Sequence, residues 1–304
     1  MLFTPLKPML PVMGRQAFDD DRFLFEPKWD GGRILLHKDG ARLEAYTRFG
    51  QSVTWQFPEL REVGVSIHER QAVLDCEGIC LRDGRAVFDD FAQRLRLQKQ
   101  WKIDAAAGRH HATFVVLDVL YSGDERLNEP LHSRKERLAQ LIEPSRFLMP
   151  TMFARGQGLA LHTLSVAQEM EGIVAKRLDS VYRLDRRSED WIKIKNTKTI
   201  DAVILGYRTE PRFGLVVGLH FRSMRNKPVA VVEDGISEEE RAAFLRLVRP
   251  LHTQVDESTR TQYIESVLCC RIQYRDRTDM HQLRLTTFVK FLPDKKPEEC
   301  WWTY

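Results

Sequence analysis

At 304 residues the chain exceeds the length over which one hydrophobic core usually keeps growing, so two domains are expected. A hydrophobic fraction of 43% beside 30% charged residues is ordinary for a globular protein, and no apolar run approaches the ~20 residues that span a bilayer. The net charge of +4 permits a nucleic-acid ligand without requiring one.

In chain order, residues 1–20 are proline-rich and read as a surface lead-in, with neither the charged start nor the apolar middle of a signal peptide; a cytoplasmic protein is expected. Phe23–Phe25 reads as a short buried strand ending near Lys28. Residues 33–36 and 42–47 alternate as two strands joined through Lys38-Asp39-Gly40, a hairpin signal. The same grammar recurs at 72–81, Asp83-Gly84 and 86–88. Apolar spacing predicts a helix over 90–103, and Phe114–Leu120 suits a central strand. Ser133 with Glu136 predicts a capped helix closed by Pro144, and a further helix is expected over 163–170. Strands follow at 171–176 and 191–195, the second alternating so that Trp191, Lys193 and Lys195 share a face.

From Asp201 the pattern changes to short β-rich runs at 202–207, 215–221, 229–232, 268–274 and 285–292. One helix interrupts them, with Ser237 and Glu240 as its capping box and Phe244, Leu245, Leu247 and Val248 as its buried stripe. The expected fold class is α+β: a domain of antiparallel sheets with helices over 1–198, then an OB-type β-barrel over 199–304. The five cysteines, odd in number and without metal-ligand spacing, read as reduced thiols. Basic residues gather at 183–198 and again at 271–296, which favours a polyanionic ligand.

Chemistry gathers around Lys28. A lysine that attacks phosphorus must be neutral, and nearby cations favour that form. Arg33, Lys193 and Lys195 supply such cations if they converge, and would also neutralise a triphosphate. Carboxylates at Glu77 and Glu171 suit Mg²⁺ or Mn²⁺, hard ions that share oxygen ligands with phosphate. Positioning and charge neutralisation supply most of the catalysis in phosphoryl transfer, so this set suits nucleotidyl transfer.

Five stretches in one order, Lys28-Trp-Asp-Gly31-Gly-Arg33, Thr47-Arg48-Phe-Gly50, Val73-Leu-Asp-Cys-Glu77-Gly, Glu171-Gly-Ile-Val-Ala-Lys176 and Trp191-Ile-Lys-Ile-Lys195, resemble the motifs of covalent nucleotidyltransferases. Within that superfamily the chain is similar to ATP-dependent DNA ligases, above all to the ligase module of bacterial end-joining ligases. The resemblance implies an adenylation domain followed by an OB-fold domain. Lys28 would form lysyl-AMP, Glu26 would contact adenine through its backbone, and Leu117 would pack on the ring. Arg33 and Arg48 would bind ribose and phosphates or the 5′-phosphate of a nick. Glu77 would hold the ribose hydroxyl and, with Glu171, the metal; Lys176, Lys193 and Lys195 would bind the nucleotide, the last two at its α-phosphate.

Two positions depart from the family pattern. Leu117 stands where an aromatic residue usually stacks on adenine, and Leu292 where an arginine usually orients pyrophosphate, so slower AMP loading is expected. An RNA ligase, a capping-type nucleotidyltransferase or a weakened DNA-binding relative are the alternatives. The expected partners are nicked or broken duplex DNA and a Ku-like protein, with no membrane, for a monomer acting at the nucleoid. No polymerase or nuclease segment fits before Lys28, so end processing is expected from other chains.

Overall fold

A computed structural model describes residues 1–278 and 280–302, so Asp279, Thr303 and Tyr304 of the expected second domain lie outside the described residues. The chain forms two compact units, Met1–Asn196 and Thr197–Tyr304. Among the described residues no helix is long and apolar enough to cross a membrane.

The first unit is built on two sheets. In one, the strands run in the order Leu10–Met13, Arg187–Lys195, Gly172–Arg177, Asp20–Pro27 and Ala154–Gly156, antiparallel except for the first pair. In the other, the central order is Arg42–Thr47, Gly32–Asp39, Gln71–Arg82 and Ala112–Ser122, all antiparallel, with Leu148–Pro150 added in parallel. Side chains alternate between the faces of each sheet. Ile34, Leu36, Leu74, Cys76 and Val116 join a core with helix Leu131–Leu141 and with Phe57 and Phe91. Phe23, Phe25, Ile173, Ala175 and Ile194 pack against Leu161 of helix Gly158–Ala167. The opposite faces share a small cluster of Met9, Leu35, Val73, Leu120, Tyr182 and Trp191.

The expected strands are present, most of them longer than the patterns suggested, except that the one expected over 86–88 is only Arg85–Ala86 because Phe88 already opens a helix, and several other details differ. The proline-rich start is not a mere surface lead-in: Met9 is fully buried, and Leu10–Met13 is an edge strand, the sheet position where proline is tolerated. The helix expected over 90–103 is two helices, Phe88–Arg96 and Gln100–Arg109, separated by an extended Leu97. Helix Leu131–Leu141 starts two residues before Ser133, with Pro130 as its cap residue and no side-chain cap, so the Ser133–Glu136 box does not form. The helix expected over 163–170 is Gly158–Ala167.

In the second unit, strand Lys198–Arg208 pairs with Gly214–Phe221 on one side and with Cys269–Tyr274 on the other. Met224–Val232 and Thr287–Phe291 extend the two ends of that run. The expected β-barrel does not close by a ladder among the described residues. One parallel bridge, Asp234 to Thr287, spans the gap, since the chain leaves strand geometry after Val232 at Gly235, whose φ is +92°. The Ser237–Glu240 capping box is formed, and helix Glu238–Val248 buries Phe244 and Val248. Leu247 of the expected stripe is 58% exposed.

A buried ion pair braces the first unit behind its helices. Arg94 donates to both carboxylate oxygens of Glu59, at 2.7 and 3.0 Å, and to the carbonyls of Gln56 and His110, while Glu59 accepts from the Ala112 amide. Both side chains are almost fully buried. Removing the guanidinium strands a carboxylate in the interior, so Arg94→Met is expected to lower stability by about 3–5 kcal/mol, read from the urea midpoint and slope. A change below about 1 kcal/mol would show that the brace is dispensable.

Candidate active site

Lys28 follows the strand Asp20–Pro27, and its backbone N–H donates to the Gly172 carbonyl at 2.9 Å, which docks this end against the strand Gly172–Arg177. Gly172 has φ +143°, and a Cβ there would lie 2.0 Å from the Ile194 carbonyl oxygen; only glycine permits that close approach. The register then gathers the site. Glu26 pairs with Val174, Val174 with Lys193, Lys176 with Trp191, and Gly172 with Lys195, so every second residue of three neighbouring strands points to one face.

Glu171 is the hub of that face. Its Oε2 lies 2.6 Å from Lys28 Nζ and its Oε1 lies 3.2 Å from Lys195 Nζ, with the carboxylate almost fully buried. Lys193, half-buried beside them, has its pKa lowered by burial, then by Lys195 and Lys28. Glu77 belongs to the same field: burial pushes its pKa up to about 7, against the opposing pull of Lys28 and Arg33, and Glu171 adds to the rise. Lys28, Glu171 and Lys195 are therefore in direct contact, with Lys193 and Glu77 in their electrostatic field.

Arg33 is placed differently from the expectation of a free phosphate ligand. It grips Asp75 side-on through Nε and Nη2, with Nη2 2.5 Å from Oδ2, lies over Trp191 at 5.7 Å, and is mostly buried. Tyr182 donates to the same carboxylate at 2.6 Å, and its hydroxyl accepts from the Met9 amide at 3.0 Å. Arg48 stands exposed on the Thr47–Gly50 turn with its guanidinium 4.6 Å from the Phe49 ring.

Behind Lys28 lies a set of buried charges that sequence reasoning did not assemble. The Glu26 carboxylate is bracketed by Lys176, 2.7 Å from Oε2, and by Lys135, which also donates to the Leu117 carbonyl at 2.8 Å. Lys176 Nζ sits 4.1 Å from the centre of the Trp191 ring. Arg134 and Asp118 form a fully buried bidentate pair beside them, at 2.8 and 2.9 Å. Lys135 and Arg134 lie within the stretch read as a helix start, and nothing in its 3.6 periodicity marks which cations turn inward. Leu117 is buried next to a bulge, where Asp75 opposes Asp118 but Cys76 opposes Val116.

Burial lowers the Lys176 pKa to about 8 from its ordinary 10.5, against the opposing pull of Glu26. The folded chain therefore holds fewer protons than the unfolded chain between those values, and stability rises with pH across that window. Lys176→Met is expected to remove this rise, up to roughly 1.4 kcal/mol per pH unit, as read by urea denaturation of both proteins from pH 8 to 10. Parallel pH dependences would refute the assignment.

Among the described residues no three His, Cys, Asp or Glu side chains cluster to hold a metal. The residues present fit a metal of another kind. Glu77 carries a carboxyl that burial leaves costly to charge, next to the partly engaged Glu171, and Mg²⁺ commonly binds one or two carboxylates plus the phosphates of its substrate.

Comparison with known proteins matches this geometry. The chain is 28% identical over 320 aligned positions to the multifunctional non-homologous end joining DNA repair protein LigD of Mycobacterium tuberculosis, covering 98% of this chain and 40% of that one. It is 29% identical to the SPbeta prophage-derived DNA ligase-like protein LigB of Bacillus subtilis, covering 93% of this chain and 97% of that one. The solved structure of a mycobacterial DNA ligase D complexed with ATP and MES superposes with a TM-score of 0.56 at 27% identity, over 97% of both chains. The chain thus spans about two fifths of the LigD relatives' length. The profile of the ATP dependent DNA ligase domain matches residues 8–195, more than half of the sequence and all five motif stretches around Lys28, so the chain belongs to the ATP-dependent DNA ligase family.

Proposed function

We propose that this chain is an ATP-dependent DNA ligase module whose nucleophile is Lys28. The observation that carries the proposal is the Glu171 carboxylate held between Lys28 Nζ at 2.6 Å and Lys195 Nζ at 3.2 Å, on a face that also presents Lys193 and within the field of Glu77 on the second sheet. Glu171 aims the Lys28 amine, and Lys193 and Lys195 draw the α-phosphate to it. The amine attacks the α-phosphorus of ATP, the N–P bond forms as the bond to pyrophosphate breaks, and AMP remains on Lys28. The 5′-phosphate of a nicked duplex then takes the AMP, and the adjacent 3′-hydroxyl displaces it to seal the strand. In-line displacement of this kind depends on placement and charge neutralisation, which this set of side chains supplies.

A divalent ion, Mg²⁺ or Mn²⁺, would be held by Glu77 and Glu171 and would neutralise phosphate charge. Glu26 presents its backbone to adenine, Leu117 packs on the ring, Lys176 supports the pocket from behind, and Arg48 serves the DNA phosphates from its exposed turn. Arg33, gripping Asp75, serves as a brace beneath the ribose. The adenylation domain is assigned to 1–198 and the OB-type domain to 199–304. The LigD relative is named for end joining, and joining of broken ends in the nucleoid, with a Ku-like recruiter, is the context proposed for this monomeric module.

Labelled ATP with Mg²⁺ is expected to give an acid-labile protein label that Lys28→Ala abolishes and Glu171→Ala reduces by at least about a hundredfold. The chain is expected to seal nicked DNA faster than nicked RNA, and Leu292→Arg to speed label formation. A label that survives Lys28→Ala, or a chain that neither takes label nor seals a pre-adenylated nick, would overturn the proposal.

A further inference from the structure

Lys135 is a buried charge beside the site that the ligase reading leaves unused. It lies on helix Leu131–Leu141, which packs on the second sheet, yet its ammonium reaches Glu26 on the first sheet and the Leu117 carbonyl on the second. Those two groups flank the proposed purine site. The bulge at Asp75/Cys76 explains why a carbonyl is available there: the ladder changes register between Asp118 and Val116, and Leu117 falls at the step, where pairing is interrupted.

The charge count is unusual for a protein interior. Asp118 and Arg134 neutralise each other, but Glu26 faces two ammonium groups, all three side chains being less than a tenth exposed. Buried ion networks cost desolvation that their mutual attraction seldom exceeds by much, so an apolar filling would hold the sheets together about as well. What an apolar filling could not do is fix a backbone carbonyl on one sheet and a carboxylate on the other at hydrogen-bond distance from one atom. With Leu117 in the place of a ring that could stack, the separation of the two walls has to be set by something other than aromatic contact.

We propose that Lys135 is a positioning residue for the purine end of the pocket: it pins the bulged Leu117 carbonyl and the Glu26 carboxylate together and so sets the gap between the two sheets. The proposal rests on the ATP-dependent reading above. Lys135 acts through Leu117 and Glu26 and takes no part in phosphorus chemistry, so its loss falls on nucleotide affinity and leaves the maximal rate of Lys28 adenylation almost untouched.

The test separates those two quantities. The ATP KM and the maximal rate of label formation are measured for the full chain and for Lys135→Met, and equilibrium ATP binding is measured in the Lys28→Ala background. The loss of a hydrogen bond to a charged donor predicts about a ten- to hundredfold rise in KM and in the dissociation constant. The maximal rate stays within about twofold, and Lys135→Arg, which keeps a charged donor, restores KM to within about twofold of the parent. Lys135→Gln, which can still donate to the Leu117 carbonyl, falls between them and serves as the readout if the methionine variant melts below the assay temperature. Unchanged KM and binding in a folded variant, or a fall in maximal rate with KM constant, overturns the role of Lys135. Binding that weakens as predicted in a chain that never takes label would instead overturn the ligase reading while upholding Lys135.

Discussion

The site depends on the two-residue alternation of three neighbouring antiparallel strands. Once Asp20–Pro27, Gly172–Arg177 and Arg187–Lys195 are in register, Glu26, Lys176, Trp191, Lys193 and Lys195 must share a face, and Lys28 is delivered to its rim. A slip of one residue would send all of them into the apolar side of the sheet. Gly172 protects that register: no other residue allows the Ile194 carbonyl to come so close, and the Lys28 amide is bonded to the Gly172 carbonyl itself.

The electrostatics follow from what the register encloses. Five lysines surround three carboxylates from Glu26, Glu77 and Glu171, with Asp75 and Asp118 committed to Arg33 and Arg134. Such a site carries surplus positive charge and repels itself until an anion enters. A nucleoside triphosphate at the Lys28 end would relieve that repulsion. Stability and function pull against each other here, which is common where charge is concentrated for chemistry.

Arg33 illustrates how a motif can be read correctly and its geometry missed. Its place five residues after Lys28 puts it on the next strand, opposite Glu77, as the hairpin pattern requires. The side chain, however, turns to Asp75, two residues before Glu77 on the same face of the partner strand, because a bidentate guanidinium–carboxylate pair is the strongest partner in reach. The rigid brace that results carries Tyr182 and Met9 with it, which is why the proline-rich start of the chain is core and not lead-in.

The sequence by itself determined nearly every strand and the capped helix after Ser237. Those features are written in local period, turn residues and motif order, all of which act within a few residues along the chain. Tertiary structure alone decided that Lys135 and Lys176 bracket Glu26, that Arg33 is committed to Asp75, that a register step frees the Leu117 carbonyl, and that among the described residues Asp234 bridges to Thr287 in the second unit. Those outcomes join residues 26 with 135 and 176, 33 with 75, and 234 with 287, and they depend on which buried charge finds which partner. Desolvation weighs on that choice, and no spacing within the sequence encodes it.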